Sequence, residues 1–262
     1  MVGAGGMLGQ EVLSAAGDRG VGITHADLDV TDAAAVADAL RGATVINCAA
    51  YTDVDGAESN PDTARAINGE GARHVAEAAA RVVYVSTDYV FDGDKRGAYV
   101  ESDPVNPVSE YGRSKLAGER ATLTSSPHSL VVRTSWLFGA GGRNFVDTML
   151  RAGEERSELK VVEDQVGCPT FAGHLAEALV ALAEGHEHGF LHVAGSGSCS
   201  WFEFARAIFQ RAGVDVDVRP CTSAEFPRPA RRPANSVLAS ERDAPKLPAW
   251  QEGLDAYLGV RA

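Results

Sequence analysis

Across the first two thirds of the chain, short runs of β-branched residues alternate with longer alanine-rich stretches of helical period. Few folds other than a parallel sheet with helices on its faces satisfy that alternation. Residues 44–49 (TVINCA), 82–87 (VVYVST) and 129–136 (SLVVRTSW) predict strands. Helices are predicted between them over 33–40, 62–80 and about 111–123. The expected fold class is α/β, a doubly wound parallel sheet of Rossmann-like type, forming a dinucleotide-binding domain over residues 1–138. Past Trp136 the rhythm loosens into a glycine-rich turn at 139–142. Helices at about 144–153, 172–184 and 201–212 and strands near 159–162 and 190–193 follow. They predict a smaller C-terminal lobe over 139–262 that is mainly substrate-binding, with some segments returning to the first domain. Residues 221–249 carry five prolines and several arginines and read as a loop-rich strap over that lobe. A chain of 262 residues, 45% hydrophobic, can bury one substantial core with such a lobe attached.

Two places fit this plan poorly. Only Met1 and Val2 precede the first glycines, where a βαβ unit needs a strand of about five residues. The helix expected to end at Ala80 also runs through Arg81 straight into the strand at Val82, although such connections usually take about 2–6 residues. The reading is a missing first strand, and residues absent between Arg81 and Val82.

The segment Gly3-Ala4-Gly5-Gly6-Met7-Leu8-Gly9 places glycines at its first, fourth and seventh positions and feeds a helix. Glycine is needed where a strand turns sharply, where backbone must approach a pyrophosphate, and where helix packs on sheet. Amides at the helix start then bind phosphate. An ordinary glycine-rich turn has the same composition, so the loop alone leaves cofactor binding open. Twenty residues past Gly9 stands Asp29, where a dinucleotide fold makes its nucleoside contacts. It also lies just before Thr31 and Asp32, either of which can cap the next helix. Thr24 and His25 occupy the expected end of the second strand, where an acid would exclude a 2′-phosphate. Their presence favours NADPH, with NADH still allowed.

Tyr111-Gly112-Arg113-Ser114-Lys115 sets a phenol and an ammonium four residues apart, on one helix face. A phenol titrating near 10 is a poor acid–base catalyst at neutral pH, and moving it by about three units takes roughly 4 kcal/mol. A cation at about 4 Å supplies energy of that order at an effective dielectric of ~20. Lys115 is therefore expected to tune Tyr111, which can then donate to a carbonyl oxygen as hydride reaches carbon. An exposed helical Tyr and Lys would look the same, so the neighbourhood decides. The run Val82-Val83-Tyr84-Val85-Ser86-Thr87-Asp88-Tyr89 is a buried strand ending in hydroxyls, and open α/β sheets bind ligands at the carboxyl ends of their strands. Thr87 or Ser86 could bind the substrate oxygen beside Tyr111, and with the Tyr/Lys pair present Thr87 is favoured.

The pieces GAGGMLG, NCAAYTDVDGAE, VSTDYVFDG, YGRSKLAGE, VVRTSWLFG and EDQVGCPT cover nearly the whole chain in order. Together they resemble the extended short-chain dehydrogenase/reductases, and within them the dTDP-4-dehydrorhamnose reductase group. The resemblance implies Thr87, Tyr111 and Lys115 as catalytic residues, with Tyr89 and Trp136 at the sugar nucleotide. It implies Gly3, Gly6, Met7, Leu8, Gly9, Asp29, Val30, Ala49, Ala50 and Thr52 around the cofactor, with Tyr111 and Lys115 touching it as well. The implied reaction is reduction of the C4 ketone of dTDP-4-dehydro-L-rhamnose by NADPH or NADH. A sibling reductase acting on another dTDP-4-keto-6-deoxyhexose, or a non-catalytic relative serving as a regulatory binding subunit, would carry much of the same pattern. Dehydratases of similar sequence place Asp-Glu after the threonine; here Tyr89 stands in place of the glutamate, which speaks for reduction.

Charge and cysteine usage narrow the partners. A formal net charge of −12 argues against nucleic acid and anionic membranes. No apolar run approaches the ~20 residues of a membrane span, and no leader precedes the glycines, so a cytoplasmic enzyme is expected. The four cysteines are scattered without metal-ligand spacing, so no metal site is expected. A homodimer is compatible with the resemblance.

Overall fold

A computed structural model of the chain describes residues 1–261. Its centre is a parallel sheet of four strands in the order β1 (Thr44–Asn47), β2 (Arg81–Thr87), β3 (Leu130–Thr134) and β8 (Gly189–His192). Both faces are covered, which is why the strands read as continuous apolar runs. Successive residues face opposite sides. Val83, Leu130 and Val132 pack with α1 (Met7–Ala16) and α8 (Ala172–Glu184) on one side, through Leu8, Val12, Leu175 and Leu179. Val82, Tyr84 and Val131 pack on the other against α2 (Ala33–Leu40) and α5 (Ala72–Ala78).

The place of a first strand is held by Val2 alone, in parallel bridges to Ile23 on one side and Asn47 on the other. The Val2 amide donates to Ile46 O at 3.0 Å, and the Cys48 amide donates to Val2 O at 2.9 Å. This short stretch sets the glycine loop at the correct edge of the sheet. The α5 helix stops at Ala78, with Ala79 extended, so Ala79 and Ala80 make the connection. Arg81 already pairs with Thr44 and Val82 with Val45, so the register runs through without a step.

The long helix expected over 62–80 is three pieces: α4 (Pro61–Arg65), a π-helical turn over Ala66–Gly71, and α5. A short α3 (Val54–Ser59) precedes them, and α6 (Glu110–Ser125) follows β2 after a turn at Asp88–Val90. Ser109 caps α6, accepting from the Gly112 amide at 3.1 Å.

The second lobe is built around Phe138, Val146, Phe204, Ile208, Trp250, Leu254 and Tyr257. These come from β4 (Leu137–Phe138), α7 (Phe145–Glu155), α9 (Trp201–Ala212) and α10 (Trp250–Arg261). The strands β5 (Glu158–Val162) and β10 (Asp217–Cys221) pair in parallel at its edge. Short pairs join β4 to β7 (Thr170–Phe171) and β6 (Val166–Gly167) to β9 (Cys199–Ser200). The strap after Cys221 bridges back at Asn235 to Val166 and at Leu238 to Tyr99. Among the described residues no helix is long and apolar enough to cross a membrane.

Candidate active site

Two adjoining cavities meet across the glycine loop. The first, of about 790 Å³, lies at the carboxyl ends of the sheet strands, between the two lobes. The second, of about 760 Å³, opens toward Thr24, His25, Asp29 and Val30. Gly3, Gly6, Ala50 and Thr52 line both, so one elongated ligand can span them.

The loop's geometry requires glycine at two positions. Gly3 has φ +89°, and a Cβ there would lie 2.6 Å from the Ala49 nitrogen. A Cβ on Gly9 would lie 2.1 Å from Gly3 O, so α1 can press against the turn only without one. Gly6, the cap of α1, offers no side chain to the helix start. The amides there are left for an anion, which suits a pyrophosphate. Met7, Leu8 and Gly9 continue this wall in the first cavity, and Ala49 lines the second. Asp29 accepts from the Thr31 amide at 2.9 Å and hydroxyl at 2.8 Å, and so stands fixed on the rim of the second cavity. The cap of α2 is Asp32. The chain turns after Ile23 instead of continuing to Asp27, whose carboxylate accepts from the Thr24 amide at 2.9 Å.

Thr87, Tyr111 and Lys115 come together in the first cavity. A Cβ on Gly112 would lie 2.2 Å from Tyr89 O; its absence lets the turn after β2 press against the first turn of α6. The rings of Tyr89 and Tyr111 then meet edge to face at 5.9 Å. The Tyr111 phenol and the Thr87 hydroxyl line this cavity together, and Thr87 Oγ1 donates to Asp88 Oδ1 at 2.9 Å. Thr87 Oγ1 also accepts from the Tyr89 amide at 3.2 Å. Ser86, the other hydroxyl considered, donates to Glu119 Oε1 at 2.6 Å inside the protein and is committed there.

The electrostatics differ from the expectation in one respect. Burial raises the Tyr111 phenol above its ordinary range, and the Asp88 charge raises it further, while the Thr87 hydroxyl acts the other way. The Lys115 ammonium is not among the groups acting on it. Lys115 Nζ donates to Val85 O at 2.8 Å and sits 4.1 Å from the centre of the Tyr84 ring. Burial pushes it down to about 7. Four-residue spacing brings the two side chains to one helix face, but α6 packs so closely on β2 that the ammonium finds a backbone carbonyl first. A phenol held protonated is the correct ground state for a proton donor.

Trp136 and Tyr89 line the same cavity. Trp136 has φ +45°, a left-handed conformation that a bulky residue adopts at a cost of order 1 kcal/mol or more. Its indole lies flat on Trp201, with centroids 3.5 Å apart and planes 3° apart, and a Cβ on Gly167 would meet that ring at 2.3 Å.

Sequence reasoning passed over several residues at this site. Asp88 lies buried beside Thr87, Trp201 backs Trp136, and Arg143, Arg228 and Arg232 bring positive charge to the cavity. Arg232 donates to Asp55 Oδ1 at 2.9 Å and Oδ2 at 3.0 Å, and Arg228 lies 3.0 Å from Oδ2. Arg232 also shares the cavity wall with Tyr89, and its charge acts to lower that phenol. The only signal for Arg228 and Arg232 was the density of arginines in the proline-rich strap. Among the described residues no group of three or more His, Cys, Asp or Glu side chains is arranged to hold a metal.

Comparison with known proteins gives these features a context. The family model described as the RmlD substrate binding domain matches residues 1–261. A dTDP-4-dehydrorhamnose reductase of Mycobacterium tuberculosis (strain CDC 1551 / Oshkosh) is 45% identical, covering 100% of this chain and 92% of its own length. That match runs over 281 aligned positions against the 262 residues here, so the relative carries residues without counterpart in this chain. A probable dTDP-4,6-dihydroxy-2-methyloxan-3-one 4-ketoreductase of Streptomyces antibioticus is 43% identical over 92% of this chain and 86% of its own. Among solved structures, a dTDP-4-dehydrorhamnose reductase of Bacillus anthracis str. Ames in complex with NADP superposes with a TM-score of 0.95 at 39% identity, covering 100% of this chain and 98% of that one.

Proposed function

Because the chain belongs to the RmlD substrate binding domain family, we propose that it is a reductase of the C4 ketone of dTDP-4-dehydro-L-rhamnose, forming dTDP-L-rhamnose. The observation that carries this reading is the meeting of Thr87, Tyr111 and Lys115 in a cavity shared by the glycine loop and the stacked indoles. NADPH is the cofactor, in keeping with the NADP complex of the Bacillus anthracis relative. When bound, it supplies the hydride. The glycine loop and the start of α1 would hold its pyrophosphate, Asp29, Val30 and Ala49 its nucleoside end, and Lys115 its nicotinamide ribose. Tyr111 gives its proton to the carbonyl oxygen, and Thr87 holds that oxygen in line. Residues 1–138 form the cofactor lobe in this scheme, with Trp136 and Trp201 walling the sugar nucleotide. The arginines of the strap would face its diphosphate, as charge-assisted bonds to phosphate favour.

Tyr89 supports reduction over dehydration. Elimination of water needs a further carboxylic acid here, and burial raises the Tyr89 phenol far out of that range. The Streptomyces antibioticus relative favours one second reading, a sibling 4-ketoreductase acting on a different dTDP-4-keto sugar. The deciding experiment is a product assay with several dTDP-4-keto sugars and both nicotinamide cofactors, with C4 stereochemistry read by NMR. dTDP-L-rhamnose as the preferred product supports the proposal. Another epimer gives the sibling, and NADPH binding without oxidation gives the regulatory subunit. Sedimentation tests the homodimer, which should run at twice the 27.5 kDa of one chain.

A further inference from the structure

Three arginines line the first cavity, and they are not alike. Arg228 and Arg232 are both held by Asp55. Arg143 is exposed and, among the described residues, has neither a hydrogen bond nor an ion pair. Acids are plentiful in a chain of net charge −12, yet none of them meets this cation.

The backbone that carries Arg143 is fixed. Arg143 ends the turn after β4, and Asn144, the cap of α7, donates from Nδ2 to Gly139 O at 2.8 Å and to Gly142 O at 3.3 Å. The turn belongs to the second lobe but rests on α1 of the first. A Cβ on Gly141, whose φ is +78°, would lie 2.5 Å from Gln10 Oε1. One on Gly142 would lie 3.0 Å from Met7 Cβ and 3.7 Å from Met7 N. Gln10 in turn donates to Gly5 O at 3.2 Å. The two glycines thus let the turn press on the first turn of α1. The residue that follows them shares a cavity wall with Gly6, Met7, Leu8 and Gly9, at a helix start that no side chain caps.

We propose that Arg143 binds the diphosphate of the nicotinamide cofactor from the second lobe, while the amides of α1 bind it from the first. The inference rests on the reductase reading, in which the glycine loop holds that diphosphate. A guanidinium presents a planar fork of N–H donors that suits phosphate oxygens, and its charge adds to that of the helix start. Arg143 breaks no ion pair in doing so, whereas Arg228 and Arg232 would each have to be drawn from Asp55. The diphosphate of a sugar nucleotide has the same chemistry. The closeness of Gly142 to the Met7 amide favours the cofactor's.

Calorimetric titration of the full chain with NADPH, 2′-AMP and dTDP tests this without turnover. 2′-AMP carries the phosphorylated ribose of NADPH but no diphosphate, and dTDP carries the other diphosphate. Arg143→Gln should weaken NADPH by about tenfold or more and leave 2′-AMP and dTDP within about twofold of wild type. Arg143→Lys keeps the charge but loses the fork, and should recover part of the loss. Added salt should weaken NADPH more in the wild type than in Arg143→Gln. Unchanged NADPH affinity in Arg143→Gln overturns the proposal. So does a loss for dTDP as large as that for NADPH or larger, which would give the arginine to the sugar nucleotide. A matching loss for 2′-AMP also overturns it, since the turn would then be shaping the glycine loop as a whole. These results leave the reductase reading standing, whereas wild-type protein that binds no NADPH overturns that reading and the role of Arg143 together.

Discussion

Tyr111 has two separable parts, a ring that packs edge to face with Tyr89 and a hydroxyl in the cavity that Thr87 also lines. Tyr111→Phe removes only the second, and turnover should fall roughly 100-fold or more, the usual scale of acid–base catalysis, with thermal stability little changed. NADPH oxidation by the pure variant checks this. Lys115→Met should weaken cofactor binding as well as rate. Gly9→Ala would force a methyl to 2.1 Å from Gly3 O, so α1 must move off the turn. We expect a stability loss of about 1–3 kcal/mol and a larger loss in NADPH affinity, measurable by calorimetry. Every residue the sequence nominated lies on one of the two cavities, because motifs record local backbone needs such as the glycines and the strand-end hydroxyls. The sequence favours Thr87 over Ser86 through the Tyr/Lys pair, and in the structure Glu119 occupies the serine. Asp88 stood in a quoted motif without a role, since its burial is a fact of packing.

Helix α6 is held in place by a buried cluster. Glu119 accepts from Arg133 Nε and Nη2 of β3, both at 2.8 Å, and from Ser86 of β2, and it is fully buried. Glu119→Gln removes the countercharge of a buried guanidinium and should cost about 3–5 kcal/mol. Replacing Arg133 and Glu119 together by apolar residues of like volume should cost far less, as urea titrations would show. The π turn serves the same helix. Asn68, buried within it, donates to Ser114 at 2.8 Å and accepts from the Tyr51 amide at 2.8 Å, so a loop of the cofactor cavity is tied to the catalytic helix. Periodicity could not show this turn, which adds one residue to an otherwise helical pattern. The spans 33–40, 172–184 and 201–212 match observed helices residue for residue, helped by Asp32 at one start and a Ser200–Glu203 capping box at another. Helix α10 was not anticipated, since its burial is decided by Phe138 and Phe204, distant in sequence.

At the scale of the molecule, the strap is fastened to the cofactor lobe through Asp55, 177 residues from Arg232. Its alternation of proline and arginine was legible as a wrapping loop, but a partner so far along the chain was not. The Arg232 hydrogen bond, with help from the Ala230 amide and Arg228, holds the Asp55 carboxyl below its ordinary range despite partial burial. A depressed folded value means this stabilisation is present above the ordinary aspartate range and is lost as pH falls through the folded value. Acid should therefore loosen the strap in the wild type. Asp55→Asn should lower Tm by a few degrees near neutrality and flatten its decline in acid, as calorimetry over a pH series would show. The two-sided core follows from the apolar runs, whereas the order of the four strands does not, and Val2 stands as a single bridged residue where a strand was expected.

Two of the three tryptophans in the chain are stacked against each other at the cavity wall. Indoles that close share excitation, so their near-ultraviolet circular dichroism should be strong and their emission partly self-quenched. The protein thereby carries its own optical reporter. A nucleotide base settling on Trp136 would alter that shared signal before any chemistry occurs, allowing occupancy to be followed in unlabelled enzyme separately from turnover.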